Sequence, residues 1–266
     1  MGEGRLKGTV YEIAGDGPTV VLVHGLGMTR AMWDWQWPAL TARYRVLRYD
    51  LIGHGASDPP AGEPSLDQLA DQLIGLIDGL ALGPCALVGF SLGGMIVRAV
   101  ALAHPGSVSA LAILASAHDR TEEQRAAVLK RVAQAAAEGP SATVGPALER
   151  WFTPAYAARH PEVLERVRQW ILANDPAVYP GLYRVLAEGD APLAQAITQI
   201  SAPTLVLAFG EDAGNSPEMA HAMAALMPNA RAGILPGLRH MGLAEDPEAV
   251  NRSLIGFLDE ALALPG

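Results

Sequence analysis

Ser91 lies between two glycines in Val88-Gly89-Phe90-Ser91-Leu92-Gly93-Gly94. Gly89, Ser91 and Gly93 satisfy G-x-S-x-G, the pattern in which a serine on a sharp strand-to-helix turn attacks an acyl carbon. The pattern alone is loose, and its setting gives it weight. An apolar run at 86–90 leads straight into a helical pattern at 92–104, with no loop residues between. So tight a turn strains the serine backbone and requires neighbours without bulk two residues to either side. It would push the hydroxyl out at the carboxyl end of the strand, against the positive end of a helix. An ordinary N-capping serine needs no glycine on both sides.

Acyl transfer also needs a proton acceptor, a group to orient it and donors for the developing oxyanion. Two amides are expected to hold that charge: Leu92, after the nucleophile, and Leu26, in the glycine-rich turn His24-Gly25-Leu26-Gly27. Each such donor typically contributes about 3–4 kcal/mol to the transition state. Of seven histidines, His240 in Leu235-Pro236-Gly237-Leu238-Arg239-His240-Met241 follows the serine and is the expected base. His24 reads as a loop brace, and His54, in Gly53-His54-Gly55, as structural or solvated. The loop Gly210-Glu211-Asp212-Ala213-Gly214-Asn215-Ser216-Pro217 should supply the carboxylate, with Asp212 preferred and Glu211 the alternative.

These residues need a scaffold, and the pattern of apolar runs describes one. Strands are expected at 9–13, 19–23, 45–49, 86–90, 110–114, 204–209 and 231–235. Helices are expected at 32–42, 66–80, 92–104, 217–227 and 247–261. Alternation of this kind implies an α/β fold with parallel strands and right-handed crossovers, both sheet faces covered. From 119 to 199 the rhythm changes to helices alone, among them 122–138 and 161–173, broken by prolines. The expected organisation is a core in two parts, 1–118 and 200–266, with a helical insertion at 119–199. Trp151, Phe152 and Tyr156 are candidate pocket residues from that insertion, with ordinary aromatic packing the competing role.

Composition narrows the partners. The chain has 266 residues, half of them apolar, a net charge of −9 and no basic cluster. A nucleic acid is not expected, because binding its backbone depends on cationic groups that release counterions. No apolar run reaches the roughly 18 residues of a membrane span. The amino terminus carries no apolar leader stretch, so a soluble, cytoplasmic protein is expected. The single cysteine, Cys85, sits in an apolar strand and reads as a small core residue.

The chain resembles the α/β-hydrolase superfamily, and within it the 3-oxoadipate enol-lactonase-like group of esterases and lactonases. The likeness runs through HGLG at 24–27, MWDWQ at 32–36, YRVLRYDLIGHGAS at 44–57, GFSLGG at 89–94, RWFTPAYAARHP at 150–161, DAGNSP at 212–217 and LPGLRHM at 235–241. It implies a mostly parallel eight-stranded sheet flanked by helices, with a helical cap over the active site. It implies Ser91 as nucleophile, His240 as base and Asp212 as acid, with no cofactor and no metal. Three positions depart from the group: His24-Gly25 stands where enol-lactonases usually carry Asn-Ser, Ile52 replaces a common arginine, and Phe209 replaces a glycine before the acid. The expected reaction is hydrolysis of a small-molecule carboxylic ester or lactone through an acyl-enzyme. The alternatives are C–C bond hydrolysis, perhydrolysis, or a ligand-binding receptor on the same fold. Self-association into a homo-oligomer stays open. An enol-lactone would need a carboxylate clamp, for which Arg98, Arg150 and Arg239 are candidates that the sequence does not single out, with solvated surface roles the favoured reading for each.

Overall fold

In the computed structural model, which describes residues 2–263, apolar strands line up as their burial on both faces demands. Strands β1 (Gly2–Leu6), β2 (Thr9–Ala14), β3 (Thr19–Val23), β4 (Arg45–Tyr49), β5 (Cys85–Phe90), β6 (Val108–Leu114), β7 (Thr204–Phe209) and β8 (Ala230–Leu235) form one sheet. Its order is β1-β2-β4-β3-β5-β6-β7-β8. The first two pairings, β1 with β2 and β2 with β4, are antiparallel, and all others are parallel. Every residue of β3, β5 and β7 is buried, as expected of central parallel strands covered by helices on both sides. The seven expected strands are present. The eighth, β1, was invisible in the sequence because Gly-Glu-Gly-Arg-Leu is a largely exposed edge strand with little apolar material.

The helices are α1 (Trp37–Thr41), α2 (Leu66–Gly79), α3 (Leu92–Ala103), α4 (Glu122–Glu138), α5 (Ser141–Trp151), α6 (Pro154–Arg159), α7 (Pro161–Leu172), α8 (Tyr179–Glu188), α9 (Leu193–Ala196), α10 (Pro217–Leu226), α11 (Gly242–Glu245) and α12 (Pro247–Ala261). The helix expected at 32–42 is instead a 3-10 segment, Arg30–Trp35, followed by α1. Pro38 explains the break: it cannot donate a helical hydrogen bond, so it sits in the first turn of a new helix. Helix α2 packs on α3, and α1 packs on α12. Among the described residues, no helix is long and apolar enough to cross a membrane.

Six helices, α4 to α9, lie between β6 and β7. A capping box of Thr121 and Gln124 starts α4, and Gly139 at φ +77° ends it. Both ends of this helical stretch meet at one fully buried carboxylate. Asp190 accepts from the Arg120 amide at 2.8 Å and from the guanidinium groups of Arg120 and Arg125 at 3.0 Å each. The chain entering the stretch is thereby tied to the chain leaving it. Asp190→Ala leaves a buried guanidinium without its counter-charge and should cost about 3–5 kcal/mol. Urea unfolding measures this, and a loss under about 1 kcal/mol would show that the ion pairs do not hold the stretch in place.

Candidate functional site

Strand register assembles the site at the carboxyl ends of the sheet. Parallel pairing sets Val23 opposite Gly89, so the loop after β3 must emerge beside the turn after β5. Likewise Phe209 pairs with Leu235, which brings the loop after β7 against the loop after β8. The strand order reverses on either side of β3, where α/β sheets open a crevice.

Ser91 bridges β5 and α3 with φ +54° and ψ −112°, a strained backbone for a residue with a side chain. The flanking glycines are required by close packing, since neither has a positive φ. A Cβ on Gly89 would stand 2.7 Å from the Gly94 nitrogen, and one on Gly93 would stand 2.8 Å from the His24 carbonyl oxygen. Gly25 is constrained less severely, by side chains: a Cβ there would lie 3.0 Å from the Phe90 ring and 3.3 Å from the Ser91 Cβ. Backbone therefore packs on backbone, and the HGLG loop lies directly against the serine turn. Among the described residues, neither the Leu26 nor the Leu92 amide donates to a carbonyl or side chain.

His240 and Asp212 meet at 2.6 Å through Nδ1 and Oδ2, both buried. Burial pushes the Asp212 carboxyl up. The His240 imidazole beside it and hydrogen bonds from Asn215 and Gly214 outweigh that and hold it below the usual carboxylate range. With Nδ1 donating to Asp212, Nε2 carries the lone pair. Glu211, the alternative acid, points elsewhere, 3.8 Å from the Arg239 Nε. The sequence reading missed Asn215. Its Nδ2 lies 3.2 Å from Asp212 Oδ2 and from His240 Nδ1, and because Nδ1 is already a donor, the amide can donate only to the carboxylate. Its position three residues after Asp212 was the available signal.

A cavity of about 490 Å³ opens over these groups, lined by Leu26, Ser91, Asp212 and His240 from the core and by Trp151 and Tyr183 from the helical stretch. Trp151 sits 5.6 Å from the His240 ring, and its carbonyl accepts from the Met241 amide at 2.9 Å, which fixes α5 to the histidine loop. Phe152 and Tyr156 do not line the cavity. They stack on each other at 5.7 Å in buried packing, where each aromatic face is covered by the other.

Two arginines are corrected, whereas the histidine braces and the core cysteine agree with the sequence. Arg98 is not solvated but fully buried, donating to the carbonyls of Gly94 and Ala117 and to the Ser116 hydroxyl. Arg239 donates to the carbonyls of Glu149 and Phe152. His24 and His54 are buried braces in edge-to-face contact at 5.1 Å. His24 Nε2 accepts from the Leu51 amide and His54 Nε2 from the Gly27 amide, each at 2.9 Å, so His54 fixes the far end of the HGLG loop. Cys85 is buried, its thiol pushed up to about 11 by burial.

Comparison with known proteins agrees with this architecture. Residues 20–253 match the model of the Alpha/beta hydrolase family. A protein of Acinetobacter baylyi named (E)-2-((N-methylformamido)methylene)succinate hydrolase is 33% identical, over 94% of this chain and 93% of its own. The same organism's 3-oxoadipate enol-lactonase 2 is 29% identical over 74% and 72%. The crystal structure of the enol-lactonase from Burkholderia xenovorans superposes with a TM-score of 0.88 at 29% identity, covering 97% of this chain and 99% of the other.

The braces carry a pH signature. Burial, reinforced by neighbouring His24, pulls His54 down to about 3, and burial also lowers His24. Unfolded histidine titrates near 6.5. As pH falls below that value the unfolded chain takes up protons first, so stability is complete above about 6.5 and declines toward pH 3. His54→Gln keeps an acceptor for the Gly27 amide but does not titrate. Between pH 7 and pH 5 the parent should lose about 2 kcal/mol more unfolding free energy than this variant. Equal losses by urea titration would mean that His54 is not held neutral.

Proposed function

Because the chain belongs to the alpha/beta hydrolase family, in its lactonase-like group, we propose that it is a serine hydrolase cleaving a carboxylic ester or lactone. The observation carrying this reading is the strained Ser91 at the wall of a cavity shared with the His240–Asp212 pair and two unengaged amides. Ser91 Oγ attacks the acyl carbon as its proton passes to His240 Nε2. Asp212 keeps the Nδ1 proton in place and stabilises the imidazolium. Negative charge gathering on the carbonyl oxygen is held by the Leu26 and Leu92 amides, assisted by the amino end of α3. Collapse breaks the bond to the leaving oxygen, which takes the proton back from His240. Water, deprotonated by His240, then releases the acid and restores Ser91.

The proposed partner is accordingly a small molecule, and no step requires a metal or a cofactor. Hydrolases of several names lie among the relatives, alongside a protein of Mycobacterium tuberculosis named putative non-heme bromoperoxidase BpoC. The reaction test therefore uses more than one substrate. Ser91→Ala should lower aryl-ester turnover by about 10⁴-fold or more with unfolding free energy preserved within about 1 kcal/mol. A fluorophosphonate should label the parent at Ser91, mapped by mass spectrometry. Absence of the adduct would favour a receptor, and turnover of a vinylogous diketone far above that of esters would favour C–C cleavage.

A further inference from the structure

One buried cation takes no part in the acyl transfer and touches no counter-charge. Arg98, on α3, is fully buried. Its Nε donates to the Gly94 carbonyl at 3.0 Å, and Nη2 donates to the Ser116 hydroxyl at 3.0 Å and to the Ala117 carbonyl at 2.8 Å. All three acceptors are neutral, and the buried Nη1 has no partner among the described residues. Nor does Arg98 form an ion pair among them. Asp190, the acid whose charge reaches it, is in contact with Arg120 and Arg125 instead. Burial pulls the guanidinium down to about 9, with Asp190 opposing and Arg120 adding, so it is still a cation at neutral pH.

The architecture alone does not call for this charge. Three neutral acceptors could be answered by a neutral amide, and a buried guanidinium without a counter-charge in contact costs stability. A cation bonded to the first turn of α3 also runs against the positive amino end of that helix. What distinguishes the place is its position behind the serine turn. Gly94, which receives the Nε–H, donates its own amide to the Ser91 carbonyl at 3.0 Å. A Cβ on Gly94 would stand 2.7 Å from the Ser116 hydroxyl oxygen, so the turn, the loop after β6 and the guanidinium pack as one block. We propose that Arg98 is a positioning residue of the acyl transfer, its hydrogen bonds fixing the first turn of α3 and its charge favouring the oxyanion. The role rests on the ester or lactone reading. The imidazolium formed at the same moment is answered by Asp212, 2.6 Å from His240, whereas the oxyanion has only amides. Arg98 stands seven positions after Ser91, roughly 10 Å along the helix axis. At that distance and an effective dielectric of about 20, one unit charge changes a rate by roughly tenfold. A cost carried by the folded protein is thus offset in the transition state.

Arg98→Met removes the charge and keeps much of the side chain's length. It should lower kcat for an aryl ester by about tenfold while KM moves by less than about twofold. Its unfolding free energy should equal or exceed the parent's, since an apolar group of similar size escapes the cost of a buried charge. Arg98→Lys, keeping charge without the fork, should recover most of the lost rate. Phenylboronic acid gives a reading without turnover. The Ser91 oxygen bonds to boron as its proton passes to His240, leaving a tetrahedral anion where the oxyanion would form. Its Ki should rise about tenfold in Arg98→Met and return in Arg98→Lys. Should Arg98→Met not fold, Arg98→Gln, uncharged and with polar groups for the same oxygens, replaces it in each measurement. Parental kcat in the uncharged variant, or equal losses in it and in Arg98→Lys, would overturn the role while ester cleavage stands. So would an uncharged variant that is less stable and in which kcat falls and KM rises together, since the guanidinium would then be merely structural. A parent that neither cleaves aryl esters nor binds the boronate would overturn the acyl-transfer reading itself, and the role with it.

Discussion

The structure depends on backbone packed against backbone at the end of β5. The turn that carries Ser91 lies so close to the end of β3 that no Cβ fits at Gly93, and it folds so tightly onto the start of α3 that none fits at Gly89. Everything chemical follows from that contact. It holds Ser91 at a positive φ and starts α3 directly after it, with the positive end of the helix at the serine. The strain is tolerable because it is held by a sheet whose central strands are buried on both faces, where a shift in one strand would disturb packing across the whole layer.

Rigid supports then surround the strained turn. His24 and His54 carry no apparent share in the chemistry, yet each spends its ring nitrogens on backbone groups that shape the HGLG loop. Held neutral by burial, they act as fixed acceptors and fixed donors rather than as titrating groups. Asn215 does the same for Asp212, sharing the carboxylate with His240 so that its lone pairs stay occupied. A preorganised site of this sort spends little free energy on rearrangement when charge develops.

Charge is distributed with similar economy between fold and cavity. Where an arginine and a carboxylate serve the architecture they are paired and buried, as at Asp190, which closes the helical stretch on itself. Arg131 and Arg150, which line the cavity from α4 and α5, form no close ion pair among the described residues.

Much of this was legible in the residues themselves. Apolar runs without alternation located seven strands, and the glycines at 89 and 93 singled out Ser91 because no other role requires both. Chain order placed His240 after the serine, and the likeness of DAGNSP to the family preferred Asp212 to Glu211. What the residues could not express is which side chains share a space. The edge strand β1 lacks apolar content, the burial of Arg98 depends on Ser116 and Ala117 on another element, and the approach of α4 and α5 to one cavity depends on how they fold over the sheet. Sequence determined the turn and the strands, since these follow from short-range sterics and periodicity, and through chain order it named the candidate groups of the site. Tertiary structure alone decided which cations were paired and which were left facing the cavity, because pairing is a matter of distance across the chain.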